Sequence, residues 1–389
     1  MQIQTGRAIK RLGAPLDPTV MPESEARTLV VCLDGTWNDV GSRTNVVRFF
    51  EQLMRDEQQL TYYDEGVGIP ESGPRRRRLR ERIFGGVFGS GLLGNVMQAY
   101  RWLSTRYRDG DRIAIVGFSR GAYTARVLAS MLGSPGLLRG GDAAAFDAAL
   151  DAVSLARETR SAPVLPGNWR CETVPVDFLG VWDTVGALGV PTLNLSWPPI
   201  GRTRLRFGNT RLPDHVRVAR QALAIDEHRA DYAPVLWTDA REGADVLQVW
   251  FPGCHAQVGG GYPDDALCEI SLLWMAAQAA PVVRFRQHIE EPGGGHFAPR
   301  RLRLDGSEYL APTIDAWRDF IGGLYRLFSR RHLRRICVEG LNETVHSTAW
   351  DKWSNDPDYR PLNLAHAGRE QLHSASDADR SFSGPEVRA

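Results

Sequence analysis

Short apolar runs alternate along the chain with longer segments whose apolar positions recur at helical spacing. The runs that predict buried strands are 28–33, 60–63, 112–116, 174–182 and 246–251. The segments that predict helices are 44–55, 95–107, 122–132, 143–157, 215–230 and 268–280. Strands that alternate with helices at this spacing are typical of a mainly parallel sheet with helices on both faces. The pattern therefore predicts an α/β fold.

The same pattern suggests how the chain is divided. Residues 1–26 are polar and contain three prolines, which favours a flexible N-terminal arm. A single large domain is predicted over 27–330, with insertions near 70–94 and 187–213, where Gly, Pro and Arg are frequent. Residues 331–389 form a C-terminal extension, and its polar tail after about residue 366 is predicted to be disordered.

One pentapeptide between a predicted strand and a predicted helix carries the main chemical signal. It reads Gly117-Phe118-Ser119-Arg120-Gly121 and follows the run that ends at Val116. Gly-x-Ser-x-Gly in a strand–turn–helix context is the nucleophile elbow of α/β hydrolases, in which the serine hydroxyl projects above the sheet edge. The glycines leave room for a close approach of strand and helix. Ser119 is therefore the candidate nucleophile.

A serine nucleophile needs a histidine to take its proton and a carboxylate to orient that histidine. In α/β hydrolases these partners follow the serine in the order acid, then histidine, each after a strand. Asp183 follows the run that ends at Trp182, and His255 comes just after Phe251. Both are expected at the carboxyl edge of the sheet, where Ser119 is also expected.

Other interpretations of these residues stay open at this point. Asp183 could instead cap a turn, and His255 could be a buried structural histidine beside a glycine-rich turn. His228 competes as the base, although it falls within a predicted helix, and His346 is a weaker candidate.

The oxyanion that forms when a serine nucleophile attacks a carbonyl is stabilised by backbone N–H donors. The first is expected from Arg120, the residue after the nucleophile. The second must come from a loop after an early strand, and Gly35 or Thr36 is best placed to supply it. Asp34 is interpreted as the residue that organises this turn.

The composition narrows the class of protein. The formal net charge is +1, which gives no indication of a nucleic-acid partner. Five scattered cysteines without a C-x-x-C pair predict neither a disulfide framework nor a structural zinc site. The proposed chemistry needs no metal and no organic cofactor. No apolar segment follows the basic residues of the first 26 positions, so no signal peptide is predicted, and synthesis in the cytoplasm is expected.

Several longer segments resemble one family over about residues 28 to 364. It is an uncharacterised α/β-hydrolase domain family that includes the catalytic domain of the first class of type VI secretion lipase effectors. Segments that carry the resemblance are Leu33-Asp34-Gly35-Thr36-Trp37-Asn38, Gly117 to Arg126, Gly180 to Gly186, Asp226-Glu227-His228-Arg229, and Trp250-Phe251-Pro252-Gly253-Cys254-His255.

The resemblance implies a serine hydrolase with Ser119, Asp183 and His255 as its triad, acting on acyl esters and on phospholipids in particular. It also implies delivery outside the cell by a system that ignores signal peptides, with a secretion or immunity partner. One departure is Ala256-Gln257, where the family often has Ser-Asp. The alternatives are an esterase for small soluble esters and a non-catalytic hydrolase-fold binding module.

The two insertions are hypothesised to form lids over the pocket. Both combine Gly, Pro and Arg with isolated large apolar residues, namely Phe84, Phe88, Leu195 and Trp197. The arginines at 75–78 would then meet anionic lipid at a membrane surface, while the apolar side chains border an acyl groove. The alternative is that both segments are ordinary surface loops.

Overall fold

The structure is a computed structural model that describes residues 26–35, 43–66, 88–141, 143–159, 161–186, 210–263, 265–286, 306–327 and 329–367. Its strands are β1 Thr28–Leu33, β2 Gln59–Asp64, β3 Arg112–Phe118, β4 Leu137–Gly140, β5 Trp169–Glu172, β6 Phe178–Trp182, β7 Val218–Ala224, β8 Asp245–Phe251 and β9 Glu343–Val345. Its α-helices are α1 Asn45–Gln52, α2 Phe88–Arg106, α3 Arg120–Met131, α4 Phe146–Thr159, α5 His255–Gly259, α6 Leu267–Ala279, α7 Ala316–Asp319, α8 Ser347–Asn355 and α9 Leu362–Ala367. A π-helical turn covers Leu132–Gly136, and 3₁₀ turns cover Ala143–Ala145, Ala230–Tyr232, Glu308–Leu310 and Phe320–Leu327.

The main sheet has seven strands in the order β2-β1-β3-β6-β7-β8-β9, and every neighbouring pair is parallel. Strands β4 and β5 pair separately as an antiparallel ribbon. This sheet confirms the predicted α/β fold. Because its strands are parallel, the turns that follow β1, β3, β6, β7 and β8 all open at one edge.

Helices cover both faces of this sheet, and the side chains of each strand alternate between the two faces. Val31 of β1 packs into a cluster with α2 and α3, whereas its neighbour Cys32 packs on the other side against α1 and α6. All six residues of β1 are buried. The continuous apolar character of such strands follows from this burial on both faces.

The predicted helix over 215–230 is wrong, because residues Val218–Ala224 form β7 inside the main sheet. The alanine-rich sequence of this segment favours a helix locally. In the fold it lies between β6 and β8, and pairing on both edges overrides that preference. Gln221, a polar residue at 0% exposure, is satisfied there by hydrogen bonds with Thr184 and Gln248.

Both predicted insertions, and with them the hypothesised lids, lie largely outside the described residues. The exception in the first insertion is 88–94, which forms the first turns of α2, so this helix begins earlier than the predicted Asn95. In the second, only 210–213 is described. Residues 1–25 and 368–389, where the flexible arm and the disordered tail are predicted, are also outside the described part.

The predicted C-terminal extension contributes directly to the sheet. Strand β9 pairs with β8 and forms one edge. A third apolar cluster joins Trp250 of β8 to Val345 of β9 and to Trp350 and Leu364 of the helices that follow. The C-terminal residues thereby pack beside the turn that follows β8.

Candidate active site

Ser119 lies on a sharp turn between β3 and α3. Its backbone angles are φ 58° and ψ −120°, a conformation that non-glycine residues rarely adopt and that surrounding structure must enforce. Two glycines make the turn possible. A Cβ on Gly117 would come within 2.5 Å of the Gly121 carbonyl oxygen, and one on Gly121 within 2.2 Å of the Leu33 carbonyl oxygen. The sequence therefore packs β1, β3 and α3 closely enough to present Ser119 at the sheet edge.

Three side chains from separate turns form a continuous hydrogen-bond chain at this edge. His255 Nε2 lies 2.9 Å from Ser119 Oγ, and His255 Nδ1 lies 2.5 Å from Asp183 Oδ2. Because an ionised carboxylate can only accept, Nδ1 carries the proton toward Asp183, and the Nε2 lone pair faces the serine hydroxyl. All three residues are buried, with exposures of 9%, 6% and 0% for Ser119, His255 and Asp183.

Asp183 is anchored by more than the histidine. Its Oδ1 accepts from the Ala224 N–H at 3.1 Å and from Arg334 Nη1 at 2.6 Å, while its Oδ2 accepts from Arg334 Nη2 at 3.0 Å. Burial by itself opposes ionisation, but the charge of Arg334 and the hydrogen bond from His255 hold the pKa of Asp183 well below its ordinary value. Asp183 is therefore a carboxylate at neutral pH.

The turn that carries His255 is held by two acidic residues that follow β7. The Gly253 N–H donates to Asp226 Oδ2 at 2.7 Å, and the His255 N–H donates to Glu227 Oε2 at 3.3 Å. Glu227 is fully buried and is neutralised by a two-point ion pair with Arg229. These contacts fix where α5 begins and hence where the imidazole lies.

Gln257, which occupies the family departure after the histidine, has a structural partner. Its Oε1 accepts from the Ile314 N–H at 2.8 Å, and its Nε2 donates to the Pro312 carbonyl at 2.9 Å. Gln257 thus ties the histidine turn to a later loop.

Aromatic rings enclose the imidazole. The Phe118 ring centroid lies 4.7 Å from that of His255, and the Tyr232 centroid lies 5.0 Å away on an edge-to-face approach. The Arg229 guanidinium lies over Tyr232 at 3.6 Å and over Phe320 at 4.8 Å. These rings limit the access of water to the histidine.

The predicted oxyanion donors are only partly described. Arg120 is the first residue of α3 and directly follows Ser119. The Gly35 N–H donates to Asp34 Oδ1 at 2.7 Å, and Asp34 Oδ2 also accepts from Thr44 and Tyr63. Asp34 therefore organises this turn, and Gly35 points its N–H at Asp34. Thr36 lies outside the described residues.

The competing histidines have other partners. His228 Nδ1 lies 3.2 Å from the His332 carbonyl, and burial lowers the pKa of His228. His346 caps α8 and stacks on Phe251. His255 is the histidine that faces Ser119.

Arg334 is the site residue that the sequence analysis missed. It contacts Asp183 across 151 positions of sequence and follows no predicted strand. Glu227 and Arg229 were visible within the segment Asp226–Arg229, but the predicted helix concealed their place beside the histidine turn.

Within the described ranges, no group of three or more His, Cys, Asp or Glu residues is arranged to hold a metal ion. Among the helices described, none combines the length and the apolar character required to cross a bilayer.

A parallel sheet between helices, with a serine on a strained strand-to-helix turn, defines the class of α/β hydrolases. A model of the family described as "T6SS, Phospholipase effector Tle1-like, catalytic domain" matches residues 27–278. The match covers more than half of the chain, and the protein belongs to this family, as the sequence resemblance predicted.

Individual relatives share between 17% and 28% sequence identity with this chain. An uncharacterized protein of Saccharomyces cerevisiae is 28% identical over 254 residues, which is 59% of this chain and 36% of that protein. Among solved structures, an uncharacterized protein from Pseudomonas aeruginosa is 18% identical with a TM-score of 0.37, and the match covers 65% of this chain and 45% of that one. The Tle1 effector bound to the VgrG spike of the type VI secretion system is 17% identical with a TM-score of 0.35, and the match covers 61% and 52% of the two chains. The chain thus spans about a third to a half of these relatives.

Proposed function

We propose that this protein is a serine hydrolase that cleaves acyl esters, with Ser119 as the nucleophile, His255 as the general base and Asp183 as the residue that orients the histidine. The observation that carries the proposal is the hydrogen-bond chain from Ser119 Oγ through His255 to Asp183, at 2.9 and 2.5 Å. A hydroxyl, an imidazole and a buried carboxylate in this order are the working parts of nucleophilic acyl transfer.

The reaction follows from these contacts in two steps. Ser119 Oγ attacks the ester carbonyl carbon while its proton moves to His255 Nε2. The tetrahedral intermediate collapses to an acyl-serine, and the alcohol leaves with that proton. A water molecule then attacks the acyl-serine, with its proton passing to the same nitrogen and back to Ser119 Oγ as the carboxylic acid is released. Asp183 stabilises the imidazolium that forms in both steps.

The negative charge on the carbonyl oxygen needs stabilisation in both steps. The Arg120 N–H is the first proposed donor, since it directly follows the nucleophile at the start of α3. The turn after β1 is proposed to supply the second through Gly35 or Thr36, and for Gly35 this requires its N–H to turn away from Asp34. Each such donor typically contributes about 3–4 kcal/mol to the stability of the transition state.

Membership of a Tle1-like phospholipase effector family supports a phospholipid as the natural acyl ester. The rings of Phe118 and Tyr232 beside His255 agree with an apolar substrate. On the same family basis we propose delivery by a type VI secretion system, with a secretion or immunity protein as partner.

Labelling with a fluorophosphonate probe, followed by peptide mapping, tests the proposed mechanism. The probe reacts with serines that a neighbouring base activates, so the expected result is one labelled residue, Ser119. A hydrolysis series with esters of increasing acyl length, and with phosphatidylcholine vesicles, then distinguishes a lipase from an esterase for small esters. A folded protein that takes no label would contradict the hydrolase proposal and favour a binding module.

A further inference from the structure

Arg334 lies outside residues 27–278, which the family model matches, but its side chain contacts the candidate site. Its guanidinium makes four hydrogen bonds: Nη1 donates to Asp183 Oδ1 and to the Ala224 carbonyl at 2.6 and 2.9 Å, while Nη2 donates to Asp183 Oδ2 and to the Tyr232 carbonyl at 3.0 and 2.6 Å. Its side chain is 1% exposed and that of Asp183 is 0% exposed. A charged pair so completely removed from water is costly unless geometry and hydrogen bonding compensate.

We propose that Arg334 is a positioning residue for the hydrolase reaction, which keeps Asp183 ionised and aims its Oδ2 at His255. The inference rests on the proposed function, because it assigns a role within the Ser119–His255–Asp183 chain.

The geometry supports an orienting role. Two parallel bonds from a planar guanidinium fix the plane of a carboxylate as well as its position. The Ala224 N–H takes the remaining direction on Oδ1. A carboxylate offers about four acceptor directions. The one acceptor direction that remains is on Oδ2, and it is directed at His255 Nδ1. Asp183 therefore holds the imidazole in a single orientation.

The charge of Arg334 matters as much as its shape. Asp183 is 0% exposed to solvent, so its ionised form depends on a compensating cation that is present before the histidine is protonated. Arg334 is that cation, since a guanidinium keeps its charge at any working pH. Among the described residues, Glu227 and Arg229 also lie beside the His255 turn, and they neutralise each other through a two-point ion pair. Tyr232 packs its ring on His255, and Arg120 lies next to Ser119, where its charge acts on Tyr232. Arg334 is the cation in direct contact with Asp183.

A purely structural ion pair predicts a different behaviour. If Arg334 only supported the fold, its replacement would lower stability but leave the pH dependence of catalysis in place. If it keeps Asp183 ionised, its loss favours proton uptake by the Asp183–His255 pair, and activity fails at a higher pH on the acid side. The pH profile separates the two roles.

The test compares kcat and kcat/KM for a soluble p-nitrophenyl ester across pH, with the active protein counted by fluorophosphonate titration. For Arg334→Gln, we expect the acid limb of kcat/KM to move up by about 1–3 pH units, the usual effect of one close opposite charge. We also expect kcat to fall about 100-fold, a typical cost of a misplaced catalytic group. Arg334→Lys retains the charge but not the two-point contact, so its acid limb should stay near that of the wild type while kcat remains reduced. The matched control is Arg335→Gln, because Arg335 is the adjacent arginine and its side chain is 67% exposed in a pair with Glu339.

An Arg334→Gln variant with the wild-type acid limb and kcat would overturn the role of Arg334. Should that variant not fold, Arg334→Lys decides alone: in folded, titrated protein, a reduced kcat with an unchanged KM supports the proposal, and any other result overturns it. Wild-type protein that neither takes the label at Ser119 nor hydrolyses the ester would instead overturn the proposed function. The two failures are thus distinguishable.

Discussion

Asp183 is the residue on which most contacts of the site converge. It lies at a positive φ of 39°, directly after β6, and its backbone N–H donates to the Ala222 carbonyl of the neighbouring strand. Its carboxylate then accepts from Ala224, Arg334 and His255. A side chain with this many fixed partners has one conformation, which is what orienting a catalytic histidine requires.

Asp183→Asn is expected to lower kcat by about 10⁴-fold, as the equivalent change does in serine proteases, because an amide cannot hold the required imidazole tautomer. Steady-state hydrolysis of a soluble ester with titrated enzyme measures this. Asp177→Asn is the matched control, since Asp177 is also buried and paired with Arg217, but it precedes β6 at the far edge of the sheet. Asp183→Asn protein with kcat within about tenfold of the wild type would contradict the role of Asp183.

At this scale, the sequence predicts the residues that follow apolar strands and misses those that do not. Ser119, Asp183 and His255 could each be named because a strand ends just before them, and parallel strands open at one edge. Arg334 has no such signature. Its role depends on a side-chain contact across 151 positions, which no local pattern records.

The strand–turn–helix element around Ser119 depends on backbone contacts that leave no space for a Cβ. Helix α3 approaches β1 so closely that the added atom at Gly121 would meet the Leu33 and Asp34 carbonyls at 2.2 and 2.5 Å. Both neighbours are backbone atoms, so relief requires the helix to move. Any such movement displaces Ser119 from His255.

Gly121→Ala is therefore expected to destabilise the protein by about 1–3 kcal/mol, as overpacking does, and to reduce kcat together with stability. Gly94→Ala is the control. Gly94 lies within α2, and an added Cβ there meets nothing within 4 Å, so alanine should stabilise the helix by about 1 kcal/mol. Urea unfolding and ester hydrolysis of both variants check this. Equal stability of the two variants would show that the close approach of α3 to β1 is absent.

Strand β7 shows why element type was the harder prediction. Its sequence, VARQALA, contains three alanines and mixes polar with apolar residues, which fits a helix as well as a strand. Only its neighbours decide between them, because β6 and β8 bond to it along both edges. Strand β3, by contrast, is a continuous apolar run before a glycine-flanked turn, and it could be predicted from sequence.

At the scale of the whole molecule, residues between 334 and 359 contact several parts of the candidate site. The Tyr359 hydroxyl donates to Asp226 Oδ2 at 3.0 Å, and the same oxygen accepts from Gly253 two residues before His255. Arg334 reaches Asp183, and β9 completes the sheet beside β8. The candidate site therefore depends on contacts well beyond the 27–278 range of the family match.

Asp226 gives folding a pH dependence of defined sign. Burial raises its pKa to about 6, although hydrogen bonds from Gly253 and Tyr359 act against the shift. An unfolded aspartate titrates near about 3.9, so the folded state holds the proton more tightly. This stabilisation is fully present below the unfolded pKa and is lost as pH rises through about 6.

Asp226→Asn cannot titrate, so its stability should change less with pH than that of the wild type. Between about pH 4.5 and about pH 7.5, the wild type is expected to lose about 2 kcal/mol more unfolding free energy than the variant. Urea unfolding of both proteins at the two pH values measures the difference, in which the titrations of other groups cancel. Parallel pH dependences would contradict a buried, raised Asp226.

The role of Ser119 as nucleophile is tested most directly by Ser119→Ala. Release of fatty acid from phospholipid vesicles and of p-nitrophenol from a soluble ester are measured beside Ser130→Ala, a change near the end of the same helix α3. Ser119→Ala should fold normally and lose about 10⁶-fold in kcat on every ester that the wild type cleaves, while Ser130→Ala keeps the wild-type rate. Folded Ser119→Ala protein that hydrolyses these esters at close to the wild-type rate would contradict the account.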